Sequence, residues 1–297
     1  MKELQGRIAF ITGGSSGIGL GLVETLAREN MRVAFTYRRK DHLTDAMAHL
    51  GNAGLADRVL PLELDVVDRI GLARAADEAE RTLGPIQLLV NNAGVAVHGL
   101  MEHATYQDWD WVLGVNLGGV VNGIVTFLPR MIASGLEGHI VNVSSMGGVA
   151  ALGSVGLYAT SKFAVVGLTE ALRTDMIGRP IGVSVYCPGP VKSNIAESGQ
   201  GRPAHLAESG YAAAGHEQGA PPRAMLDTAM DATVAAQYVL EGIRHNALYI
   251  FSHPEFRDVI AARHAALEAA LPDEPLNTAR AEAIRFILSN PIYDRGA

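Results

Sequence analysis

The chain has 297 residues, of which 48% are hydrophobic and 19% are charged, and its formal net charge is −7. This apolar content is typical of a globular protein and excludes a disordered chain. The acidic balance argues against a nucleic-acid-binding protein, which carries a basic face. The single cysteine, Cys187, excludes an intrachain disulfide, and the ten histidines lack metal-ligand spacing. Because no long apolar stretch opens the chain, we expect no signal peptide and a cytoplasmic location.

Short continuous apolar runs alternate with helical patterns along most of the chain. Such runs are typical of parallel strands buried on both faces, and right-handed crossovers between them produce a doubly wound sheet. With no linker and no repeat in the pattern, we predict one α/β domain of the Rossmann type with about seven strands. The predicted strands are residues 7–12, 32–37, 59–64, 86–90, 140–143, 181–187 and 247–251, and the predicted helices include residues 71–83, 106–133, 158–177, 228–243, 256–271 and 279–288.

Residues 111–129 and 138–161 contain no Asp, Glu, Lys or Arg. Both stretches are interrupted by polar residues and glycines, whereas a membrane span needs about 20 predominantly apolar residues. We therefore predict buried core and no membrane contact. The uncharged face of the helix at residues 111–128 must be covered, which predicts a homodimer or a homotetramer.

The first predicted strand runs directly into a glycine-rich turn, Thr12-Gly-Gly-Ser-Ser-Gly-Ile-Gly19. Glycines allow a tight turn and let a pyrophosphate approach the N–H groups at the start of a helix. A purely structural turn is the alternative, but the position between a strand and a helix favours a dinucleotide site. The predicted cofactor contacts here are Gly13, Ser15, Ser16, Gly17, Ile18 and Gly19.

The tip of the second predicted strand bears on the choice of dinucleotide. A site for NAD places Asp or Glu about 20 residues after the glycines, on the ribose 2′-hydroxyl. This chain instead has Tyr37, Arg38 and Arg39 at the tip. Guanidinium groups bind a 2′-phosphate that a carboxylate would repel. A solvated basic loop is the alternative. We predict that these three residues contact NADP(H), with NAD(H) as a possible cofactor.

Polar residues at later element ends form the candidate catalytic set: Asn116, one of the adjacent serines Ser144 and Ser145, Tyr158 and Lys162. A separation of four places Tyr158 and Lys162 on one face of a helix. The lysine ammonium and a positively charged nicotinamide would both lower the pKa of the tyrosine from its ordinary value of about 10. The hydroxyl of one of the two serines can hold the substrate oxygen, and Asn116 can orient a water against the lysine. Each residue alone is commonplace, and the conjunction predicts catalysis.

From residue 6 to about residue 195, these motifs resemble the short-chain dehydrogenases/reductases. The resemblance implies hydride transfer between a nicotinamide and a secondary alcohol or ketone, with Tyr158 as proton donor or acceptor. It also selects Ser145 over Ser144 by its distance from the tyrosine. Asp65 is implied at the adenine, Asn92 beside its ribose, and Lys162 on the nicotinamide ribose. The full set of further implied cofactor contacts is Asp65, Val66, Asn92, Ala93, Gly94, Tyr158, Lys162, Pro188, Gly189, Val191 and Ser193.

A narrower resemblance concerns the substrate. Residues 105–116, 125–135, 192–197 and 246–250 are similar to the Cα-dehydrogenases that oxidise benzylic alcohols of lignin-type aryl ethers, and the long C-terminus is shared. This implies a small-molecule substrate, namely an aryl or otherwise bulky secondary alcohol or ketone. The Arg38-Arg39 tip departs from an acidic NAD-type tip, which leaves both the cofactor and the direction of the reaction open.

Residues 199–224 are rich in Gly, Ala and Pro and follow the sixth predicted strand. Ligands of open parallel sheets bind outside the carboxyl ends of the strands. We therefore predict that residues 199–224 form a mobile substrate lid, with a passive loop as the alternative. Residues 253–297 are predicted to form a helical C-terminal extension.

Three other functions share parts of the pattern. A 3-oxoacyl thioester reductase would use the same chemistry, although a lid suits a free small molecule better than a tethered chain. A non-catalytic NADP(H)-binding sensor would have no need of the four catalytic residues together. A sugar epimerase or dehydratase spaces its glycines as Gly-x-x-Gly-x-x-Gly, which this chain does not.

Overall fold

The computed structural model describes residues 1–151, 153–215 and 223–293. Its framework is a seven-stranded, all-parallel sheet in the order β3-β2-β1-β4-β5-β6-β7. The doubly wound Rossmann-type sheet and all seven predicted strands are confirmed. The strands are β1 (Ile8–Ile11), β2 (Arg32–Tyr37), β3 (Val59–Glu63), β4 (Leu88–Asn91), β5 (Gly138–Val143), β6 (Ile181–Cys187) and β7 (Tyr249–Phe251).

Helices connect the strands and extend the chain beyond β7. The α2 helix has a weak apolar pattern, because it buries only Ala46 and Leu50. The helices of the described residues are α1 (Gly17–Arg28), α2 (Lys40–Asn52), α3 (Arg69–Leu83), α4 (Tyr106–Leu113), α5 (Gly119–Ser134), α6 (Gly156–Asp175), α7 (Gly210–Ala213), α8 (Arg223–Asp227), α9 (Ala232–Arg244), α10 (Arg257–Ala269), α11 (Thr278–Ala283) and α12 (Arg285–Leu288).

The sheet is buried on both faces because successive side chains of a strand point to opposite sides. Ala9 and Ile11 of β1 pack in one cluster with α1 and α9. Phe10 of β1 packs in the other cluster with α3, α5 and α6, and its ring centroid lies 4.5 Å from that of Phe127. Helices thus pack on both faces of the sheet and fix the position of the edge at which the strands have their carboxyl ends.

The predicted helix at residues 106–133 is one helical run, but its hydrogen-bond pattern changes within the run. A π-helical turn, Gly114–Gly118, separates α4 from α5. The whole run, Tyr106–Ser134, is the one helix of the described ranges long and apolar enough to cross a membrane by length and composition, with a mean hydropathy of 1.6. Core helices of soluble proteins pass the same test, and Phe127 and Met131 of α5 are buried against the sheet.

The chain after β6 is packed differently. Residues 195–215 form short turns and α7, and residues 216–222 of the predicted lid lie outside the described residues, as do residues 294–297 of the predicted extension. None of the residues of α10, α11 and α12 is buried.

Candidate active site

A cavity of about 870 Å³ lies at the carboxyl ends of the strands. Small-molecule and cofactor sites commonly have volumes of about 300–1,000 Å³. Every predicted cofactor contact, from Gly13 to Ser193, lines this cavity, and so do the predicted catalytic residues Ser145, Tyr158 and Lys162. Asn116 is the one predicted site residue that does not line it.

The glycine positions of the turn between β1 and α1 have no room for side chains. Gly13 and Gly17 have φ angles of +65° and +51°, in the left-handed region that favours glycine. A Cβ on Gly19 would overlap the carbonyl oxygen of Gly13. The Asn92 side chain donates to the carbonyl oxygens of Thr12 (2.9 Å) and Gly13 (3.0 Å), which ties the turn to β4. The Asn92 amide thus supports the turn.

Two threonines that were not predicted as site residues complete this support. Thr12 Oγ1 accepts hydrogen bonds from the backbone N–H groups of Asn92 (2.9 Å) and Ala93 (3.1 Å). Thr36 Oγ1 accepts one from Gly13 N (3.0 Å). In the sequence, each threonine is a hydroxyl residue near the end of an apolar strand, which is the signal that could have identified it.

The two arginines of the β2 tip are each paired with a carboxylate. Arg38 Nη1 lies 3.5 Å from Asp65 Oδ2, and both side chains are more than a third exposed. Arg39 binds Asp41 through two hydrogen bonds of 3.1 and 2.5 Å, and the bond to Arg39 holds the pKa of Asp41 well below its usual range. A 2′-phosphate at this tip would therefore compete with protein carboxylates.

Ser145, Tyr158 and Lys162 are brought together as the sequence predicts. Ser145 caps a short turn by accepting a hydrogen bond from Gly147 N (3.1 Å). A Cβ on Gly147 would lie 3.6 Å from Ser145 Oγ and 3.7 Å from Tyr158 Cε1, so the two side chains flank the same glycine. Lys162 Nζ donates to the carbonyl oxygen of Val143 at the end of β5 (3.0 Å) and lies 5.7 Å from the centroid of the Tyr158 ring. The ammonium is thus held beside the phenol by the sheet itself.

Burial dominates the electrostatics of this trio. It raises the pKa of Tyr158, against the opposing effect of the hydrogen bond with Ser145, and it lowers the pKa of Lys162 to about 8. The predicted lowering of the tyrosine pKa is therefore not supplied by the protein groups alone. That lowering would require the positive charge of a bound nicotinamide in addition to that of the lysine.

Asn116 lies fully buried behind the cavity, within the π-helical turn, a feature frequent at functional sites. Its Oδ1 accepts from Val95 N (2.8 Å), and its Nδ2 donates to Val95 O (2.9 Å) and Ser161 Oγ (3.0 Å). Both donor hydrogens of the amide are thus used within the protein. A Cβ on Gly94 would lie 3.3 Å from Asn116 Oδ1 and 3.5 Å from Lys162 Nζ, so these two groups flank the same glycine.

The segment after β6 covers the cavity from the opposite side. Ser198 Oγ accepts from Ala96 N (3.1 Å), and Gln200 Oε1 accepts from Arg39 Nη1 (3.4 Å). Further along, Arg202 forms a buried salt bridge of 2.6 Å with Asp108 of α4. Although burial acts to raise it, hydrogen bonds from Thr105 and Arg202 hold the pKa of Asp108 below its ordinary value.

Sequence reasoning missed several cavity residues. His98 is a half-buried imidazole whose pKa is lowered by burial, and it lines the cavity together with Met146, Met225 and Phe256. These residues belong to loops and to the C-terminal part of the chain, where no spacing pattern marks them. Met146, Met225 and Phe256 are apolar, which contrasts with the polar glycine turn in the same cavity lining.

Comparison with known proteins gives consistent matches. A family model described as short chain dehydrogenase matches residues 7–202. The chain is 40% identical to the C alpha-dehydrogenase of Sphingobium sp. strain SYK-6 over 268 residues, covering 90% of this chain and 87% of that protein. A short chain dehydrogenase/reductase from Burkholderia phymatum, solved in complex with NAD, has a TM-score of 0.83 and 34% identity, covering 93% of this chain and 100% of that one. LigO in its apo form, from Sphingobium sp. strain SYK-6, has a TM-score of 0.78 and 37% identity, covering 97% and 98%.

Proposed function

The chain belongs to the short chain dehydrogenase family, and within it we propose an NADP(H)-dependent enzyme that interconverts a bulky or aryl secondary alcohol and its ketone. Family membership makes the chain an oxidoreductase that uses a nicotinamide dinucleotide. The substrate, the proton carrier and the choice of dinucleotide are the proposed parts.

The observation that carries the proposal is the placement of Tyr158 beside Ser145 and beside the buried ammonium of Lys162. The glycine turn at the start of α1 fits a dinucleotide, because its glycines keep side chains away from the backbone and the turn presents helix N–H groups. When bound, the nicotinamide supplies or accepts the hydride at the carbinol carbon.

The protein residues manage the oxygen and the proton of that reaction. Ser145 Oγ holds the substrate oxygen, and the Tyr158 hydroxyl donates a proton to the alkoxide during ketone reduction or accepts one during alcohol oxidation. Lys162 stabilises the phenolate through its charge at close range. Because Lys162 has a pKa of about 8, its side chain is protonated in most molecules at neutral pH.

An aryl substrate is favoured by apolar residues in the cavity lining and by the similarity to the C alpha-dehydrogenase. Met146, Met225 and Phe256 supply an apolar surface against which an aromatic ring can pack. His98 adds one half-buried polar group to the cavity lining. A panel of benzylic, acyl thioester and steroid ketones, followed by the absorbance of the reduced nicotinamide, tests this class. Preference for the thioester would support the 3-oxoacyl reductase instead.

The catalytic proposal is tested by Tyr158→Phe, with Tyr106→Phe as the control because Tyr106 is 90% exposed and lies outside the cavity wall. Loss of the hydroxyl should lower turnover at least ~10²-fold. Dinucleotide binding, measured by calorimetry, should persist. Near-native turnover of Tyr158→Phe would refute the assignment. Lys162→Ala should lose turnover and also bind the dinucleotide less tightly.

The preference for NADP(H) rests on Arg38 and Arg39. Their carboxylate partners are exposed, so exchange for a 2′-phosphate costs little. We expect NADPH to be preferred over NADH by roughly 10- to 10³-fold, and less at high salt. A Tyr37→Asp, Arg38→Leu double variant should reverse the order. Equal or better efficiency of the wild type with NADH would overturn the cofactor choice while leaving the reaction class intact.

We also propose a homodimer or homotetramer that covers the exposed side of α5. Val121, Val125 and Ile132 are 38%, 68% and 38% exposed on this helix. Sedimentation of Val125→Glu, with Val234→Glu on α9 as the control, tests the assembly. A wild-type monomer, or an oligomer insensitive to Val125→Glu, would contradict it.

Finally, we propose that residues 199–224 act as a substrate lid within a single domain. Support comes from residues 199–215 of the segment, in which Gly201 lines the cavity and lies against the Arg38 guanidinium. Ligand-dependent hydrogen exchange is the test.

A further inference from the structure

The Pro188-Gly189-Pro190 turn follows β6 and forms the cavity wall next to the catalytic serine. On one side, Met146 N donates to Pro188 O (2.9 Å), which joins the turn to the residue after Ser145. A displacement of this turn would therefore change the space in front of Ser145. The position of the turn matters to whatever occupies the reactive end of the cavity.

On its other side the turn is held by His253, which follows β7. Gly189 N donates to His253 Nδ1 (3.1 Å), and His253 Nε2 is 3.1 Å from Pro190 O. A backbone N–H only donates and a carbonyl only accepts, so Nδ1 is the acceptor and Nε2 carries the proton. One neutral tautomer of the imidazole thus bridges two consecutive residues of the turn.

The tautomer is supported by a chain of hydroxyls from the sheet. Ser252 Oγ lies 2.9 Å from His253 Nδ1 and 2.9 Å from the hydroxyl of Tyr186, a buried residue of β6. With Nδ1 as acceptor, the consistent direction is Tyr186 to Ser252 to His253. The imidazole is therefore oriented by the core and does not depend on the exposed helices that follow.

The side of the turn that faces His253 is closely packed. A Cβ on Gly189 would lie 2.7 Å from Cγ and Cδ2 of His253 and 3.0 Å from the ring of Phe256. Glycine is thus required for the imidazole to approach. His253 also lies outside residues 7–202, the part matched by the family model, so the family motifs do not assign it a role.

We propose that His253 is a positioning residue, whose imidazole holds the Pro188-Gly189-Pro190 turn where it forms one wall of the nicotinamide pocket. This inference rests on the proposed function, because it takes the end of the cavity near Ser145 as the nicotinamide end. His253 does not touch the reacting atoms. It acts through the turn alone.

The experiment compares His253→Leu, His253→Asn and His264→Leu in the full-length protein. Leucine removes both hydrogen bonds, whereas the asparagine oxygen can still accept from Gly189 N in place of Nδ1. His264 is an exposed histidine of α10 and serves as the matched control. Calorimetry measures the dissociation constants of NADPH, NADH and ADP-ribose, the last of which lacks the nicotinamide.

For His253→Leu we expect the dissociation constants of NADPH and NADH to rise about tenfold, because each neutral hydrogen bond contributes a factor of about five and the turn relaxes partly. The constant for ADP-ribose should stay within about twofold, since only the nicotinamide end is affected. His253→Asn should recover most of the affinity, and His264→Leu should match the wild type.

Unchanged dinucleotide binding by His253→Leu, or equal weakening of ADP-ribose, would overturn the positioning role. If His253→Leu does not fold, Ser252→Ala replaces it: this variant removes the hydroxyl that orients Nδ1, and it should weaken NADPH but not ADP-ribose. Equal effects on both ligands would again overturn the inference. The readout needs no turnover, so a wild type that binds dinucleotide but oxidises no alcohol contradicts the proposed function and leaves this inference intact.

Discussion

The cavity has two walls that are built in opposite ways. The sheet wall (residues 13–19, 92–94, 144–145 and 158–162) stands on β1, β4 and β5, whose residues are all buried. The lid wall (residues 195–215 and 223–229) consists of short turns and helices, and most of its residues are exposed. One wall is part of the core, and the other rests on it.

The difference follows the division of labour in the proposed reaction. Proton transfer between Tyr158 and a substrate oxygen needs fixed distances, and a buried sheet supplies them. A bulky substrate must enter and leave, which requires segments that open at low free-energy cost. We therefore expect changes in the sheet wall to affect binding and turnover strongly, and changes in the lid wall to affect mainly substrate capture.

The largest contrast should come from placing the same methyl group in each wall. In Gly19→Ala the new Cβ would overlap Gly13 O, whereas Gly199→Ala meets no atom within 4 Å. Overpacking of a fixed site costs about 3 kcal/mol, so we expect Gly19→Ala to weaken dinucleotide binding about 100-fold. Gly199→Ala should bind as the wild type does. Calorimetric titration of NADPH measures both.

A tolerant Gly19→Ala would mean that the turn before α1 is not rigid, and the distinction between the walls would fail at its strongest point. An inactive Gly199→Ala would place the lid wall among the fixed parts. Melting temperatures of both variants separate a local effect on the turn from a loss of the fold.

How much of each wall could be predicted from the sequence follows from the same contrast. The glycine turn, Ser145, Tyr158 and Lys162 were predicted because their spacing is local and their geometry follows from the strand or helix that carries them. The π-helical turn at Asn116 could not be predicted, since a single register shift within an apolar helix leaves no sequence pattern. The fold class needed only the apolar runs.

Long-range partners account for most of what the sequence did not reveal. His253 meets Gly189 across 64 positions, and Arg202 meets Asp108 across 94. No periodicity connects such residues, because only the tertiary fold brings them together. The Arg38 and Arg39 tip was predicted as an NADP(H) contact, and the pairing of Arg38 with Asp65, 27 positions away, likewise depended on the folded loops.

A second prediction concerns pH and compares a histidine of the sheet with one of the exposed extension. Burial lowers the pKa of His139 on β5 to about 3, and its Nε2 is hydrogen-bonded to Ser184 Oγ (2.8 Å). In the unfolded chain a histidine has a pKa of about 6.5. The unfolded state therefore binds the extra proton first, and stability falls as pH drops below that value, until the folded pKa is reached.

From this residue alone we expect a loss of about 2 kcal/mol in the free energy of unfolding between pH 7 and pH 5. His139→Gln keeps a donor for Ser184 without the titration, so it should lose less stability over the same range. His264→Gln on α10 should behave as the wild type. Denaturant unfolding at pH 7 and at pH 5 measures the free energy of unfolding of each protein. Equal losses in all three proteins would show that His139 titrates normally.

The third prediction loosens the lid wall at its attachment to α4. Arg202→Leu removes the guanidinium from the buried Asp108 carboxylate and from the face of the Trp111 ring, 5.0 Å away. An uncompensated buried charge is destabilising, and the exposed segment can relax to relieve it. We expect the substrate KM to rise about tenfold with little change in kcat. Arg285→Leu, which removes an exposed ion pair on α12, is the control. A fall in kcat without a change in KM would place Arg202 in the catalytic step instead.

The smallest expected effect is the response of the lid wall to ligands. Its amides at residues 199–215 should exchange faster than those of β5, because few of these residues are buried. Binding of NADPH alone should slow exchange near Gln200 and Gly201, since these residues contact the Arg39 and Arg38 side chains that would hold the 2′-phosphate. Added substrate should slow the amide exchange of the remaining residues up to α7 by about fivefold, equivalent to about 1 kcal/mol of closing free energy.

The α10 helix serves as the control for this experiment. It is equally exposed but lies outside the cavity, so its exchange should not change. If α10 slows as much as the lid wall, the ligand stabilises the whole chain, and if neither slows, residues 199–215 form a passive loop.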